Sequence, residues 1–182
     1  ARFAVAAFKP TQAAIARQMI AEVGEDIPVY TRQTPEVIAA ATCCMAVSGS
    51  VSLELLYQAK PSVILYWIPQ YAYRVQARFR RVKYITLVNL LTADELFPKD
   101  LTPYNPNGPE AQTVLFPEYL TWEDKSEQLA FHVAEWLLNP AGRQQLEARL
   151  AKLRDEVAHG GASASAAEYI LNELTRGRQR IP

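Results

Sequence analysis

The stretch Met45-Ala46-Val47-Ser48-Gly49-Ser50-Val51-Ser52-Leu53-Glu54-Leu55-Leu56-Tyr57-Gln58-Ala59-Lys60-Pro61-Ser62-Val63-Ile64-Leu65-Tyr66-Trp67 decides the fold. Met45 to Val47 reads as the end of a strand. Ser48 and Gly49 interrupt the apolar run, and Val51 to Ala59 carries helix formers with Leu53, Leu56 and Tyr57 on one side until Lys60-Pro61 stops it. Ser62 to Trp67 is then a short apolar run of the kind expected of a strand covered on both faces. Strand, turn, helix and strand in that order call for a parallel pair joined by a right-handed crossover.

Outward from this unit the alternation continues. Arg2 to Phe8 reads as a strand, and Thr11 opens a helix whose Ile15, Met19, Ile20 and Val23 recur at helical spacing before Gly24 ends it. Ile27 to Tyr30 is a short strand, and Thr34-Pro35 has the cap-then-proline order of a helix start, leading through Val37, Ile38 and Ala41. On the other side, Tyr84 to Leu87 is a further strand-length apolar run. Residues 98–117 are rich in proline and asparagine, with Pro103, Pro106 and Pro109 too closely spaced for a helix, and predict a loop. Glu123 to Leu138, Ala141 to Ala158 and Ser163 to Leu174 are helical segments, the last two divided by Gly160-Gly161, and Arg176, Arg178 and Arg180 sit in a polar tail. The reading is one doubly wound α/β domain over residues 1–122 and a helical tail over 123–182 that packs on it or on a partner.

Bulk properties narrow the function. Nineteen basic side chains balance nineteen acidic ones, so no global field favours nucleic acid, and no oligonucleotide-binding module is evident. Cys43 and Cys44 are adjacent, and neighbouring side chains of an extended strand point to opposite faces, so they are expected as core thiols and not a disulfide. His132 and His159 are the only histidines, each in a helical segment, and no spaced Cys/His set exists for zinc. No apolar run approaches the roughly 18 residues of a bilayer span, and the apolar segment after Ala1 lacks the positively charged lead of a secretory signal. A soluble or peripheral protein is expected, and the missing initiator Met points to a trimmed fragment.

In an open parallel sheet ligands bind beyond the carboxyl ends of the strands, which directs attention to the peptides after Val47, Trp67 and Leu87. At Ser48, Gly49, Ser50 and Ser52 a glycine permits close backbone approach, hydroxyls can donate to an anion, and a helix start offers free N–H groups, a combination suited to a diphosphate. Glu54, about one turn on, can accept from a ribose diol. The alternative is that Ser50 caps the helix and Glu54 complements its dipole. Asn89 either meets a sugar or phosphate or caps a helix running through Leu96, with Glu95 on its surface. Arg74, Arg78 and Arg81, interleaved with aromatics, share one side of a helix and make a local cationic face for anionic headgroups or a phosphorylated lipid, or a merely solvated one. The pattern is neither a P-loop nor a dinucleotide-binding fingerprint, and a hydrolase triad has weak support.

Three of these blocks together carry a resemblance: Val47-Ser48-Gly49-Ser50-Val51-Ser52-Leu53-Glu54, then Lys60-Pro61-Ser62-Val63-Ile64-Leu65-Tyr66, then Lys83-Tyr84-Ile85-Thr86-Leu87-Val88-Asn89-Leu90-Leu91 with Glu95-Leu96. In order and spacing they resemble the carboxyl-terminal domain of the lipid-A-disaccharide synthase family, and Gly161 to Ala167 resembles its closing run. The resemblance implies a Rossmann-like parallel sheet with helices on both faces, half of a GT-B fold, followed by a helical tail. It implies inverting transfer of 2,3-diacylglucosamine from its UDP derivative to 2,3-diacylglucosamine 1-phosphate, giving lipid A disaccharide 1-phosphate and UDP. Ser50 and Ser52 would hold the diphosphate, Glu54 the ribose, and Asn89 and Glu95 would line the donor cleft. No cofactor or metal is implied. The catalytic base would lie in an amino-terminal domain that this chain lacks, so the fragment alone is expected to be inactive. Expected partners are the two acylated sugars, that domain, a possible second copy and an anionic membrane surface, in the cytoplasm at the inner membrane.

The chain departs from the family pattern in four places. The glycine-rich Gly-Ser-Arg segment after the domain's first strand is absent, so the chain is expected to begin at the second strand. Trp67 stands where the family often has Arg, Val88 where it usually has Pro, and Pro103 to Pro117 looks like an insertion. Two other readings stay open: a different GT-B enzyme such as a UDP-N-acetylglucosamine epimerase, or a non-catalytic nucleotide-sugar-binding or assembly module.

Overall fold

The computed structural model describes residues 1–47, 49–157 and 166–173. β1 (Val5–Ala7) leads into α1 (Pro10–Val23), β2 (Val29–Thr31) into α2 (Thr34–Ala40), and β3 (Cys44–Val47) into α3 (Val51–Tyr57) and β4 (Ser62–Trp67). Then come α4 (Gln70–Phe79), α5 (Leu87–Leu91), β5 (Glu118–Thr121), α6 (Ser126–Leu138) and α7 (Pro140–Val157). Local chemistry sets several boundaries. Pro10 opens α1, where its missing N–H costs nothing, and the Gln12 side chain accepts from the Lys9 N–H at 2.9 Å. Gly24 closes that helix in the left-handed region at φ 71°, which an L residue adopts at a cost. Past α3, Lys60 donates from Nζ to the carbonyls of Ala39 and Ala41, tying down the end of α2.

All strand pairs are parallel. β3, β4 and β5 form one sheet in that order, with Cys44 opposite Ser62 and Ile64 opposite Glu118, while β1 and β2 form a separate pair. The side chains of β4 divide the interior. Ile64 packs with Ile38, Leu55, Leu56, Val88, Phe116, Leu150 and Leu153, which come largely from α2, α3, α5 and α7. Val63 and Leu65 belong to a second cluster with Tyr104, Val114, Tyr119, Val133 and Trp136, under α6 and the proline-rich segment. Helices therefore cover both faces, as an all-parallel sheet requires. Each large side chain withdrawn from water here contributes about 1.5 to 3 kcal/mol.

Several expectations are corrected. The expected single sheet is divided into a pair and a trio. Tyr84 to Leu87 is not a strand: Thr86 is the N-cap of α5, and α5 stops at Leu91 instead of reaching Leu96. The third strand of the larger sheet is β5, directly after the 98–117 segment, which is irregular apart from a 3-10 turn at Pro109–Gln112. The helical positions Ile15, Met19 and Val23 of α1 are exposed, and only Ala13 is buried. α4 ends at Phe79, so Arg81 lies beyond it and does not share a helical face with Arg74 and Arg78. Cys43 and Cys44 are free, half-buried thiols, and burial pushes Cys44 up to about 11. α6 and α7 use Val133, Trp136, Leu150 and Leu153 to pack on the sheet itself. Residues 166–173 are helical, with Tyr169, Ile170 and Leu171 exposed. Ser48, His159, Gly160-Gly161 and Arg176, Arg178 and Arg180 lie outside the described residues, as does most of the Gly161 to Ala167 run.

Candidate functional site

Because β3, β4 and β5 run parallel, their carboxyl ends lie at one edge of the sheet, where ligands of doubly wound domains bind. The turn from β3 to α3 passes through Gly49 at φ 152°, a conformation that disfavours any side chain even though a Cβ there would meet nothing within 4 Å. The constraint is conformational and not spatial. The Gly49 carbonyl accepts both the N–H of Ser52 at 3.1 Å and its hydroxyl at 2.8 Å, so Ser52 is buried and folded back onto the turn. Ser50 occupies the N-cap, yet its hydroxyl makes no capping bond, which removes the capping reading. Ser50 and Glu54 both face solvent at the start of α3.

α5 packs against α3, which brings Asn89 to the same side of the sheet. Asn89 is only 1% exposed. Its amide donates to the Phe116 carbonyl at 2.7 Å and to Glu118 at 3.0 Å, and its oxygen accepts the Phe116 N–H at 3.1 Å. Neither of the two readings of Asn89 describes this arrangement: Thr86 caps the helix, and the Asn89 amide is occupied inside the protein. Glu95 is exposed in the irregular stretch after α5.

Glu118, on β5, was not singled out by sequence. Its carboxylate accepts from the N–H groups of Ile85 and Thr86, the Thr86 hydroxyl and the Asn89 amide. Burial nevertheless outweighs these bonds and raises its pKa. No sequence signal marks such a residue, since a lone glutamate reads as surface. Farther along the same edge, Trp67 uses its indole N–H to reach the Trp122 carbonyl at 3.2 Å, linking the ends of β4 and β5. A cavity of about 390 Å³ opens beside β5, lined in part by Tyr73, Tyr104, Tyr119, Trp122 and Lys125. Below it the Tyr119 hydroxyl meets His132 Nε2 at 2.9 Å. Arg74 and Arg78 are exposed on α4, away from the Gly49 turn in sequence and on a different element. Among the described residues, no three His, Cys, Asp or Glu side chains gather as metal ligands, and no helix is long and apolar enough to cross a membrane.

Comparison with known proteins fits this picture. Residues 2–116 match the family model described as lipid-A-disaccharide synthetase. The chain is 26% identical over 168 residues to a lipid-A-disaccharide synthase of Geobacter metallireducens, covering 92% of the chain and 38% of that relative. It is 24% identical over 156 residues to the enzyme of the same name from Geobacter sulfurreducens, covering 86% and 36%. The Colwellia psychrerythraea protein of that name is 37% identical over 84 residues, 44% of the chain and 21% of the relative. The chain thus spans little more than a third of the length of the first two relatives. With the match extending from β1 through the Gly49 turn and α5 to Phe116, the chain belongs to the lipid-A-disaccharide synthetase family.

Proposed function

We propose that this chain is the donor-binding part of an inverting, lipid A-forming glycosyltransferase. In the complete protein, 2,3-diacylglucosamine passes from its UDP derivative to 2,3-diacylglucosamine 1-phosphate, giving lipid A disaccharide 1-phosphate and UDP. The observation that carries the reading is the Gly49 turn, at the carboxyl end of a parallel strand, inside the segment that matches the family. In this reading the backbone of Gly49 and Ser50, with the exposed Ser50 hydroxyl, meets the diphosphate, and Glu54 accepts from the ribose. α3 has only seven residues, so hydroxyl and N–H contacts outweigh the helix dipole. Ser52, Asn89 and Glu118 act behind them by fixing the turn and α5. Glu95 is kept as a donor-cleft residue at the solvent edge.

In the transfer, the acceptor hydroxyl oxygen forms a bond to the anomeric carbon as the bond to the UDP oxygen breaks. The leaving electron pair settles on the diphosphate, and the hydroxyl proton goes to a base supplied outside these residues. This chain contributes leaving-group stabilisation by preoriented donors, and residues 1–182 alone bind donor without transferring it. Titration calorimetry of the complete gene product with UDP tests the reading. Glu54→Ala is expected to weaken binding by about 1 to 3 kcal/mol, and unchanged affinity would remove Glu54 from the site.

A further inference from the structure

Among the described residues β5 pairs only with β4, so half of its backbone groups face the other way. The Ile64 N–H donates to the Pro117 carbonyl at 2.8 Å and the Ile68 N–H to the Thr121 carbonyl at 2.9 Å. With Ile64 opposite Glu118 and Tyr66 opposite Leu120, this parallel register turns the N–H and C=O of Glu118 and Leu120 away from β4. Both residues are buried, at 5% and 7% exposure. Among the described residues no protein group bonds to those N–H and C=O groups, although buried backbone is nearly always satisfied.

Glu118 and Leu120 line the cavity of about 390 Å³ beside β5, together with Tyr73, Tyr104 and Trp122. Its walls come from α4, the proline-rich segment, β5 and the start of α6, all within this chain. The proline-rich segment does not supply the missing bonds. Pro103 and Pro106 have no N–H to give, and the N–H groups of Asn107 and Gly108 are turned onto Asn105 at 3.0 and 2.9 Å. The charges on the wall are spent as well. The Glu118 carboxylate is held by Ile85, Thr86 and Asn89, and Lys125 is paired with Glu123 at 2.8 Å. What remains is an aromatic-walled space in which a carbonyl and, two residues on, an N–H are presented along one edge.

We propose that this cavity binds a planar heterocycle, a purine-like ring whose edge donor meets the Glu118 carbonyl and whose neighbouring acceptor meets the Leu120 N–H. Mostly apolar walls with a few oriented polar groups are the chemistry of a ring site, and aromatic side chains hold such rings by stacking. An anion would find no unpaired cation on the wall. An extended peptide would find only two outward-facing residues on a strand of four, too short an edge for strand addition. The cavity is also separate from the Gly49 turn, since β5 lies two strands from β3, about 10 Å across the sheet. The inference therefore stands apart from the donor-site reading.

Calorimetric titration of the complete gene product with adenosine, in the presence of saturating UDP, provides the test. Adenosine should bind without displacing UDP. N6,N6-dimethyladenosine keeps the ring and loses the edge donor, and should bind at least tenfold more weakly. Tyr73→Ala and Trp122→Ala should each weaken adenosine binding roughly tenfold while UDP affinity stays the same. Hydrogen exchange gives a readout that needs no variant: the Leu120 N–H should slow at least tenfold with adenosine, while the Tyr119 N–H, directed toward β4, should not change. Absence of adenosine binding at millimolar concentration would overturn the proposal, as would displacement by UDP or equal affinity for the dimethylated ring. So would a Leu120 N–H already protected without adenosine, because another segment of the complete protein would then occupy the edge.

Discussion

Glu118 and Thr86 stand 32 residues apart in sequence and share two hydrogen bonds, from the Thr86 N–H at 3.0 Å and from its hydroxyl at 2.6 Å. Thr86 in turn caps α5 by accepting the Asn89 N–H, and Asn89 closes the network by donating to the same carboxylate oxygen. One buried carboxylate thereby fixes where α5 starts and holds it against β5, and α5 packs on the helix that begins at the Gly49 turn.

Glu118→Ala should therefore cost about 3 kcal/mol, because it strands several buried donors at once. The readout is a lower urea midpoint with an unchanged slope. The pH dependence has a definite sign. Burial raises the folded-state pKa of Glu118, so its contribution is fullest below the usual glutamate range and is lost as pH rises through the raised value. Measured against Glu118→Gln, the wild type should gain relative stability as pH falls from neutral toward that range. A flat difference curve would contradict the assignment.

His132 carries the opposite sign. Burial lowers its pKa, so its contribution is present above the unfolded value and is lost as pH falls. The Tyr119 hydroxyl, its pKa pushed up to about 12 by burial, shares a hydrogen bond of 2.9 Å with Nε2 of the ring. As pH falls below the usual histidine value of roughly 6.5, the thermal midpoint of the wild type should fall more steeply than that of His132→Gln. Tyr119→Phe should cost about 1 kcal/mol at neutral pH. Parallel acid profiles for wild type and His132→Gln would show that the ring is not buried neutral.

The central unit was legible because its signals are local. Ser62 to Trp67 reads as a strand and is one, covered through Ile64 and open at Tyr66 and Trp67, and the break at Gly49 falls where the turn into α3 is. What escaped depends on partners distant in sequence. Tyr84 to Leu87 has the composition of a strand, but Glu118 captures the N–H groups of Ile85 and Thr86 and starts a helix instead. β5 escaped because Glu-Tyr-Leu-Thr carries that buried glutamate, and sequence patterning places glutamate outside. The Asn89 amide looked available for a ligand because nothing local reveals that Phe116 occupies it.

Gly49→Ala should separate backbone conformation from packing. Nothing lies within 4 Å of the added methyl group, while φ is 152°, so the penalty is strain on the order of 1 to 3 kcal/mol. Relief of that strain would shift the Ser50 N–H, so UDP affinity in calorimetry should fall along with the melting temperature. Unchanged values for both would mean that the turn tolerates a side chain.

The two sheets carry the last prediction. β1 pairs only with β2, and β3 only with β4, among the described residues. The Val5 N–H donates to Pro28 and the Ala7 carbonyl accepts from Arg32, so the Ala6 N–H points away from β2. The Cys44 N–H donates to Pro61, which likewise leaves the N–H groups of Met45 and Val47 on the open edge of β3. In the doubly wound order 3-2-1-4-5-6, the sequence β2-β1 and then β3-β4-β5 fits with one parallel strand between β1 and β3. Two bare apolar edges of this kind are sites for strand addition, and the Geobacter relatives are more than twice as long as the matched region. Hydrogen exchange should therefore slow at Ala6, Met45 and Val47 by roughly a hundredfold or more, equivalent to about 3 kcal/mol of opening free energy, in a protein of the relatives' length compared with residues 1–182 alone. Equal exchange at all three amides in both proteins would show that β1 and β3 remain edges, and that the pair and the trio are two independent sheets.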